Sequence, residues 1–259
     1  MSTVVVLSLT SSGHINPSLP LVAELIARGE HVIYFGIEQY RAIIEGSGAE
    51  YRSYSHPDYL KPKVHGGEFF GVMAHFAKAS KVNLPALIDE LREIAPDYLL
   101  LDSMCIWGNI AQQVLDIPAV TFSSVFMMAE KMSCESLMDM AYLPRPKEVV
   151  YSGLKSLYEY FEIAQDLDKT YNCKSPGLVE AFTNPQPLNI VFTSYFFHPK
   201  NTLFSTERYK FVGPSLAKRT EKHEFPLEKI DRKSTIFISL GTINNDHTDF
   251  YKQCFEAFA

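Results

Sequence analysis

The sequence predicts an α/β protein built on a doubly wound parallel sheet. Three observations predict this fold: short apolar runs alternate with segments of helical periodicity, the connections between them are short, and the apolar runs are rich in β-branched residues. Such runs are typical of strands buried on both faces of a parallel sheet. A βαβα order with short connections favours right-handed crossovers and therefore a doubly wound arrangement.

The first half of the chain supplies five strands in turn. The first begins with the β-branched residues Val4, Val5 and Val6, and the fourth contains Leu99, Leu100 and Leu101. Continuous apolar runs of this length, bounded by polar loops, indicate buried strands. The predicted strands are Val4–Leu9, His31–Phe35, Glu50–Tyr54, Tyr98–Leu101 and Ala119–Phe122.

Four helices connect these strands. In the first, Leu21, Val22, Leu25 and Ile26 repeat at helical spacing, and Gly29 follows as a natural helix stop. The third is expected to break near its internal proline, Pro85, because proline disrupts a helix interior. The predicted helices are Ser18–Arg28, Glu38–Glu45, Phe69–Glu93 and Trp107–Leu115.

A long, mostly helical segment from Phe126 to Phe182 interrupts the alternation. It is rich in Met, Tyr and Phe, and its clearest helix is Leu154–Asp168. An insertion of this size can form a lid or a substrate wall, or it can supply extra helices that pack on the sheet, and the pattern leaves both open. Another strand, Leu188–Thr193, follows it.

Three regions divide the chain. Residues 1–214 form the α/β domain, which ends at Lys210–Pro214, and the charged, turn-rich residues 215–233 form a linker. Residues 234–259 contain a strand at Thr235–Thr242 and a helix that begins at Asp249. Because one strand and one helix cannot bury their own faces, we expect the sequence to end inside a second α/β domain.

Charge and cysteine content exclude several classes of protein. The net charge is −6, with 24 basic and 30 acidic residues and no Lys/Arg cluster, which argues against nucleic acid or an anionic membrane as the main partner. The four cysteines are too widely spaced for a zinc knuckle or a disulfide framework. No apolar stretch is long enough to span a membrane, so we expect a soluble, cytoplasmic protein.

A histidine, His14, follows the first strand, where open α/β sheets place their ligands. Asn16 is a good N-cap and Pro17 suits a first helical turn, so His14 is expected just before a helix N-terminus. The partial positive charge there favours neutral imidazole, the form that a general base needs. A surface or capping role is the alternative interpretation.

Asp102 ends the fourth strand and is the candidate partner of His14. Because strand ends on one edge of a parallel sheet converge, the Asp102 carboxylate could reach the imidazole, fix its tautomer and stabilise its cation. Asp102 could equally cap the helix that follows it, and both roles could hold together.

Four segments, in this order, resemble the family 1 glycosyltransferases, particularly the bacterial macrolide branch. The first follows the first strand, the second contains Asp102, the third closes the first domain, and the fourth opens the second. They are Gly13–Pro17, Leu100–Asp102 with Trp107, Phe211–Pro214, and Ile238–Thr242. Four segments spread over nearly the whole chain are far more specific than any one of them.

The resemblance implies a GT-B fold, in which two Rossmann-like lobes face each other across a cleft. One lobe binds an acceptor, and the other binds a nucleoside-diphosphate sugar. By position, His14 would deprotonate an acceptor hydroxyl, Asp102 would assist it, and Gly241 and Thr242 would lie near the donor phosphates. The implied reaction is an inverting transfer of a hexose, from UDP-sugar by expectation, that needs no metal and no cofactor.

The expected acceptor is a small hydrophobic molecule with a hydroxyl group. Its predicted contacts are Ile15, Trp107, Phe126 and Met127, although core packing is an equally open role for such residues. Asp166-Leu167-Asp168 spells the D-x-D of metal-dependent glycosyltransferases, but residues two apart point to different sides of a helix, so we interpret it as a solvated helix face.

The family's donor-binding signature, with its His, Gly, Glu and Gln positions, is absent up to Ala259. We therefore expect the chain as given to be an inactive fragment. One alternative is a non-catalytic module or acceptor subunit that needs a separate donor lobe. Another is a nicotinamide-dependent enzyme, but that class requires Gly-x-Gly-x-x-Gly after the first strand, and Ser11–His14 does not supply it.

Overall fold

A computed structural model of the chain describes residues 1–60, 69–128, 147–199, 201–216, 226–231, 233–241 and 247–258. The chain divides into two compact units, Met1–Leu216 and Ala217–Ala259. The first unit holds a seven-stranded sheet and six of the helices described below, and it carries most of the structure that bears on function.

The sheet of the first unit is entirely parallel, and its strand order is β3-β2-β1-β4-β5-β6-β7. The chain builds outward from β1 to β3 on one side and from β4 to β7 on the other. The predicted doubly wound α/β class is therefore confirmed, and its switch point lies between β1 and β4. The strands are β1 (Thr3–Leu7), β2 (His31–Gly36), β3 (Glu50–Ser53), β4 (Tyr98–Asp102), β5 (Ala119–Ser123), β6 (Leu188–Val191) and β7 (Tyr209–Phe211).

Helices cover both faces of this sheet. The α-helices are α1 (Ser12–Ala27), α2 (Arg41–Gly46), α3 (Phe69–Ile94), α4 (Ile106–Leu115), α5 (Lys147–Tyr171), α6 (Glu180–Thr183) and, in the second unit, α7 (Thr248–Phe258). Short 3₁₀ turns lie at Glu38–Tyr40, Pro57–Leu60, Asn201–Leu203 and Leu227–Lys229. None of the helices in the described ranges is both long and apolar enough to cross a bilayer.

Two hydrophobic clusters lie on opposite faces of the sheet, because alternate residues of a strand point to opposite sides. Val5 and Leu7 of β1 pack in the cluster that contains Trp107 and the buried residues of α3 to α5. Val4 and Val6 pack in the cluster that contains Ile15 and Val22 of α1. Each strand of the central sheet thus joins two separately packed layers.

The third helix does not break at Pro85, and that part of the prediction was wrong. α3 runs without interruption from Phe69 to Ile94 with Pro85 inside it. Proline removes one backbone hydrogen bond, but Leu84, Leu87 and Ile88 around it are buried in the core. This packing holds the helix together across the missing bond.

The helical insertion packs on α3. Tyr160, Ala164 and Leu167 of α5 join the core cluster of α3, and α5 also forms ion pairs with that helix at its surface. Residues 147–171 therefore act as an additional packing helix, one of the two interpretations that the sequence left open. Residues 129–146 of the insertion lie outside the described residues.

The strand predicted at Thr235–Thr242 is not formed over its described residues. Residues 235–241 adopt no regular structure, and Thr242 lies outside the described residues. A strand needs a neighbour to accept and donate its backbone hydrogen bonds, and the described part of the second unit contains none. The helix predicted from Asp249 is present as α7, and none of its described residues is buried.

Close packing at Gly108 joins α4 to the strands that lead into the switch point. A Cβ atom at this position would lie 2.8 Å from Leu101 Cδ2 and 3.0 Å from Cys105 Sγ. Both neighbours are fully buried, so they have little room to move away. In contrast, among the residues that the structure describes, a Cβ atom at Gly153 of α5 would meet only Phe70 Cδ2, at an ordinary 3.6 Å.

We expect Gly108→Ala to lower the free energy of unfolding by about 1 kcal/mol, because overpacking costs about 1–3 kcal/mol against a helix-propensity gain of about 1 kcal/mol. Gly153→Ala, the matched control, should raise it by up to about 1 kcal/mol. Urea unfolding measures both changes. Equal stabilisation by the two substitutions would show that α4 is not packed this closely.

Candidate active site at the switch point

His14 lies in the first turn of α1 and not in a loop before it, which corrects the predicted helix start at Ser18. Ser11 is the N-cap, with extended backbone at φ −131° and ψ 150°. Its carbonyl accepts the N–H groups of His14 at 3.0 Å and Ile15 at 2.9 Å. Asn16 is therefore not the N-cap, because the turn closes earlier on Ser11 and the helix tolerates Pro17 in its interior.

The imidazole of His14 contacts the carboxylate of Asp102. Nδ1 of His14 lies 2.8 Å from Oδ2 of Asp102, although the two residues are 88 positions apart in the sequence. Asp102 is fully buried, whereas 10% of the His14 side chain is exposed. The structure thus brings together the two strand-end residues that sequence reasoning paired, and their catalytic roles stay a prediction.

Asp102 also organises the turn between β4 and α4. Its Oδ1 accepts the N–H of Met104 at 2.9 Å, and its backbone carbonyl accepts the N–H of Cys105 at 3.0 Å. The N-cap of α4 is Cys105, so the carboxylate stabilises the turn before the helix and does not cap the helix itself. One oxygen serves this turn, and the other is left for His14.

The environment of His14 raises the pKa of its imidazole above the ordinary 6.5. Burial is the largest single effect and lowers this pKa. The charge of Asp102 and the hydrogen bond to it both raise the pKa, and together they outweigh the effect of burial. The helix N-terminus was expected to favour the neutral imidazole, and the charge of Asp102, whose Oδ2 lies 2.8 Å away, acts in the opposite direction and favours the cation.

The hydrogen bond to Asp102 also fixes the tautomer of His14. A carboxylate only accepts, so Nδ1 carries the proton, and Nε2 of the neutral ring presents its lone pair. Across the described part of the chain, Nε2 has no hydrogen-bond partner. The arrangement can therefore take a proton on Nε2 while Asp102 stabilises the resulting cation.

Two serine hydroxyl groups beside this pair were missed by the sequence analysis. Ser8 Oγ lies 3.4 Å from Oδ2 of Asp102, and Ser124 Oγ lies 3.3 Å from Nδ1 of His14. Each serine directly follows a strand, β1 or β5, at the edge of the sheet that carries Asp102. The strand-end rule that selected Asp102 could have found both of them.

Phe126 and Met127 follow Ser124 and point to different environments. Phe126 is 46% exposed, and its ring lies 5.8 Å from that of Phe197, which is also exposed. Met127 is buried, and its N–H donates to Nε2 of His198 at 2.9 Å. Phe126, two residues beyond Ser124, therefore forms an exposed aromatic pair with Phe197, which the sequence analysis did not name.

The remaining predicted site residues lie elsewhere. Ile15 is fully buried in the cluster beneath α1, and Trp107 is fully buried in the opposite cluster, where its indole N–H donates to Tyr54 Oη at 3.1 Å. Gly241 is an exposed turn residue of the second unit, and Thr242 lies outside the described residues. Their assignments to an acceptor pocket and to donor phosphates stay predictions.

The D-x-D segment of α5 is engaged in structural contacts. Asp166 forms an ion pair with Lys81 at 2.6 Å, and Asp168 accepts the N–H of Ser175 at 2.6 Å. Within the described ranges, no cluster of three or more His, Cys, Asp and Glu side chains is arranged to hold a metal ion.

Comparison with known proteins shows relatives in one enzyme class. The chain is 31% identical to the uncharacterized UDP-glucosyltransferase YojK of Bacillus subtilis, over 99% of this chain and 63% of the relative. It is 24% identical to the oleandomycin glycosyltransferase of Streptomyces antibioticus, over 97% of this chain and 57% of the relative. No protein-family profile matches the chain.

A solved structure has the same fold. The glycosyltransferase of kitacinnamycin superposes with a TM-score of 0.76 at 22% identity, over 99% of this chain and 62% of that one. The resemblance drawn from the four sequence segments is therefore confirmed: the relatives are UDP-glucosyltransferases and macrolide glycosyltransferases. The chain spans about three-fifths of the length of these relatives.

We expect His14 to titrate above pH 6.5 in an NMR pH titration. Asp102→Asn should lower this pKa, because the amide lacks the charge that holds the proton. Since a raised pKa means tighter proton binding in the folded state, the contribution of His14 to stability is complete below pH 6.5 and is lost as the pH rises through the folded-state pKa. The surface substitution Asp166→Asn is the matched control. An unchanged His14 pKa in Asp102→Asn would contradict the proposed pairing.

Proposed function

We propose that the chain carries the acceptor site and the general base of an inverting glycosyltransferase. The premise is that it shares sequence and fold with UDP-glucosyltransferases and macrolide glycosyltransferases. The reaction moves a hexose from a nucleoside-diphosphate sugar, by preference a UDP-sugar, to a hydroxyl group of a small hydrophobic acceptor. The contact between His14 and Asp102 at the switch point is the observation that carries this proposal.

The chemical step begins at Nε2 of His14. This atom takes the proton of the acceptor hydroxyl while the oxygen attacks the anomeric carbon from the face opposite the leaving group. The bond from that carbon to the phosphate oxygen breaks, its electron pair leaves with the nucleoside diphosphate, and the anomeric configuration inverts. Asp102 keeps the proton on Nδ1 and stabilises the imidazolium, as a carboxylate does in a catalytic triad.

The burial of the pair supports this role. Asp102 is fully buried, so its charge acts on the imidazole with little screening by water. The raised pKa of His14 makes it a stronger base, and the imidazole must lose its own proton before it can act. Turnover is therefore expected to rise as the pH increases through the pKa of His14.

An apolar acceptor is supported by the exposed aromatic pair Phe126 and Phe197, of which Phe126 follows Ser124 by two residues on the chain. Aromatic rings bind apolar ligands through large contact areas with defined geometry. In this proposal the buried residues Ile15 and Trp107 support the site from below through core packing.

Contact of Gly241 and Thr242 with the donor phosphates is proposed from the motif resemblance. Gly241 has a backbone φ of +82°, and a Cβ atom at this position would meet no atom of the described residues within 4 Å. Its N–H donates to Ser239 Oγ at 3.2 Å, and the lack of a side chain would let a phosphate approach the backbone closely.

We expect His14→Ala to reduce kcat by about 10² to 10⁴, the usual contribution of general-base catalysis, while acceptor binding stays close to that of the wild type. Asp102→Asn should cost less, because Nε2 can still accept a proton, though with poorer orientation. The matched control is His31→Ala, which replaces a half-exposed histidine at the start of β2, far from the strand ends that carry Asp102, and it should leave turnover unchanged.

Release of nucleoside diphosphate from a nucleotide sugar, in the presence of a hydroxylated aromatic acceptor, measures turnover. The assay uses the chain itself and a chimera that adds the part of Bacillus subtilis YojK that the chain does not cover. Wild-type turnover by His14→Ala, or no release by either protein, would overturn the proposal.

A further inference from the structure

The turn that carries His14 is weakly tied to the rest of its helix by backbone hydrogen bonds. Pro17 and Pro20 both lie inside α1. Because proline has no N–H, the carbonyls of Gly13 and Asn16, four residues earlier, each lose their helical partner. This turn is therefore held by fewer backbone hydrogen bonds than a regular helix supplies, and side-chain contacts contribute more to its position.

A pair of buried hydroxyl groups ties the same turn to the sheet. Ser18 Oγ donates to the carbonyl of Ile15 at 2.7 Å, and Tyr34 Oη lies 2.8 Å from Ser18 Oγ. A serine hydroxyl has one proton, which here goes to Ile15, so Tyr34 is the donor to Ser18. Both side chains are fully buried, and water cannot replace either bond.

Tyr34 and Asp102 stand on opposite sides of β1. Tyr34 pairs with Val6 across the β1–β2 ladder, and Asp102 ends β4, the other neighbour of β1. α1 packs above these strands, so its first turns are held from β2 through Ser18 and from β4 through His14. Two fixed points on a rigid sheet determine where the imidazole lies.

Ser8 connects the two anchor points. Its hydroxyl lies 3.4 Å from Oδ2 of Asp102 and also interacts with the hydroxyl of Tyr34. Burial, the largest effect, raises the pKa of Tyr34 well above 10, so the phenol keeps its proton and remains a donor at any working pH.

We propose that Tyr34 and Ser18 are positioning residues for His14, fixing the first turns of α1 so that Nδ1 meets the Asp102 carboxylate. Without the Tyr34 hydroxyl, the proline-weakened turn is free to shift, and the Nδ1–Oδ2 contact lengthens. The geometric part of this inference stands on the structure alone, and its catalytic consequence rests on the proposed function.

Tyr34→Phe is the test variant, and Tyr160→Phe is its matched control. Tyr160 is also a buried tyrosine, and its hydroxyl donates to the carbonyl of Pro176 on the opposite face of the sheet. Tyr34→Phe leaves no proton without an acceptor, because Ser18 still donates to Ile15, so the variant should fold. Thermal unfolding establishes that both variants are folded.

The first measurement is an NMR titration of His14, assigned with His14→Ala. We expect Tyr34→Phe to lower the His14 pKa toward 6.5, in the same direction as Asp102→Asn, and to change the Nδ1 chemical shift. Ser18→Ala should act in the same direction, and Tyr160→Phe should change neither quantity. A His14 pKa that is the same in Tyr34→Phe, Ser18→Ala and the wild type would overturn the inference.

The second measurement is sugar transfer in the assay described above. Misplacement of a catalytic group costs up to about 10²-fold in rate, so Tyr34→Phe should lower kcat by about 10- to 10²-fold and leave KM unchanged. If Tyr34→Phe lowers the His14 pKa but the wild type transfers no sugar, the proposed function is wrong and the positioning inference stands. If transfer requires His14 but Tyr34→Phe keeps the wild-type kcat, the positioning inference fails alone.

Discussion

The parallel pairing of β1 with β4 is the constraint on which the rest of this structure depends. In this register Leu7 lies beside Leu101, so the residues that follow both strands emerge at one point of the sheet edge. Neighbouring strands are about 4.8 Å apart, a distance that one helical turn and one side chain can span. His14 and Asp102 meet because the strand order reverses there, and their 88-residue separation in sequence has no bearing on it.

The same contact couples the chemistry of the site to the stability of the fold. Asp102 is buried, and its charge is accommodated by the N–H of Met104, by His14 and by the hydroxyl of Ser8. Removing one partner from a buried charge costs more than the partner's own bond is worth, because the remaining charge stays desolvated. The residues around the imidazole are therefore constrained by the need to stabilise the buried charge of Asp102, in addition to any constraint from the proposed reaction.

Strands β1 to β6 were predictable because most of them are apolar runs of limited length, and Asp102 was found because the ends of parallel strands converge. The strand predicted at Thr235–Thr242 was wrong over its described residues and β7 was not predicted, because a strand also depends on its neighbours. The start of α1 was not predictable, since the helix-start preferences of Asn16 and Pro17 were overridden by the carbonyl of Ser11. The continuity of α3 through Pro85 depends on packing from α4 and α5, which no local pattern contains. The contact between Tyr34 and Ser18 depends on how α1 packs on β2, which no sequence pattern gives, so it was found only in the structure.

The separation of the two hydrophobic clusters has an evolutionary consequence. Odd residues of β1 face one layer and even residues face the other, so substitutions among the side chains around Trp107 do not enter the packing beneath α1. Substitutions in the cluster around Trp107 can change the surface next to it while the position of the His14 imidazole is preserved. The two layers can therefore accumulate substitutions independently of each other.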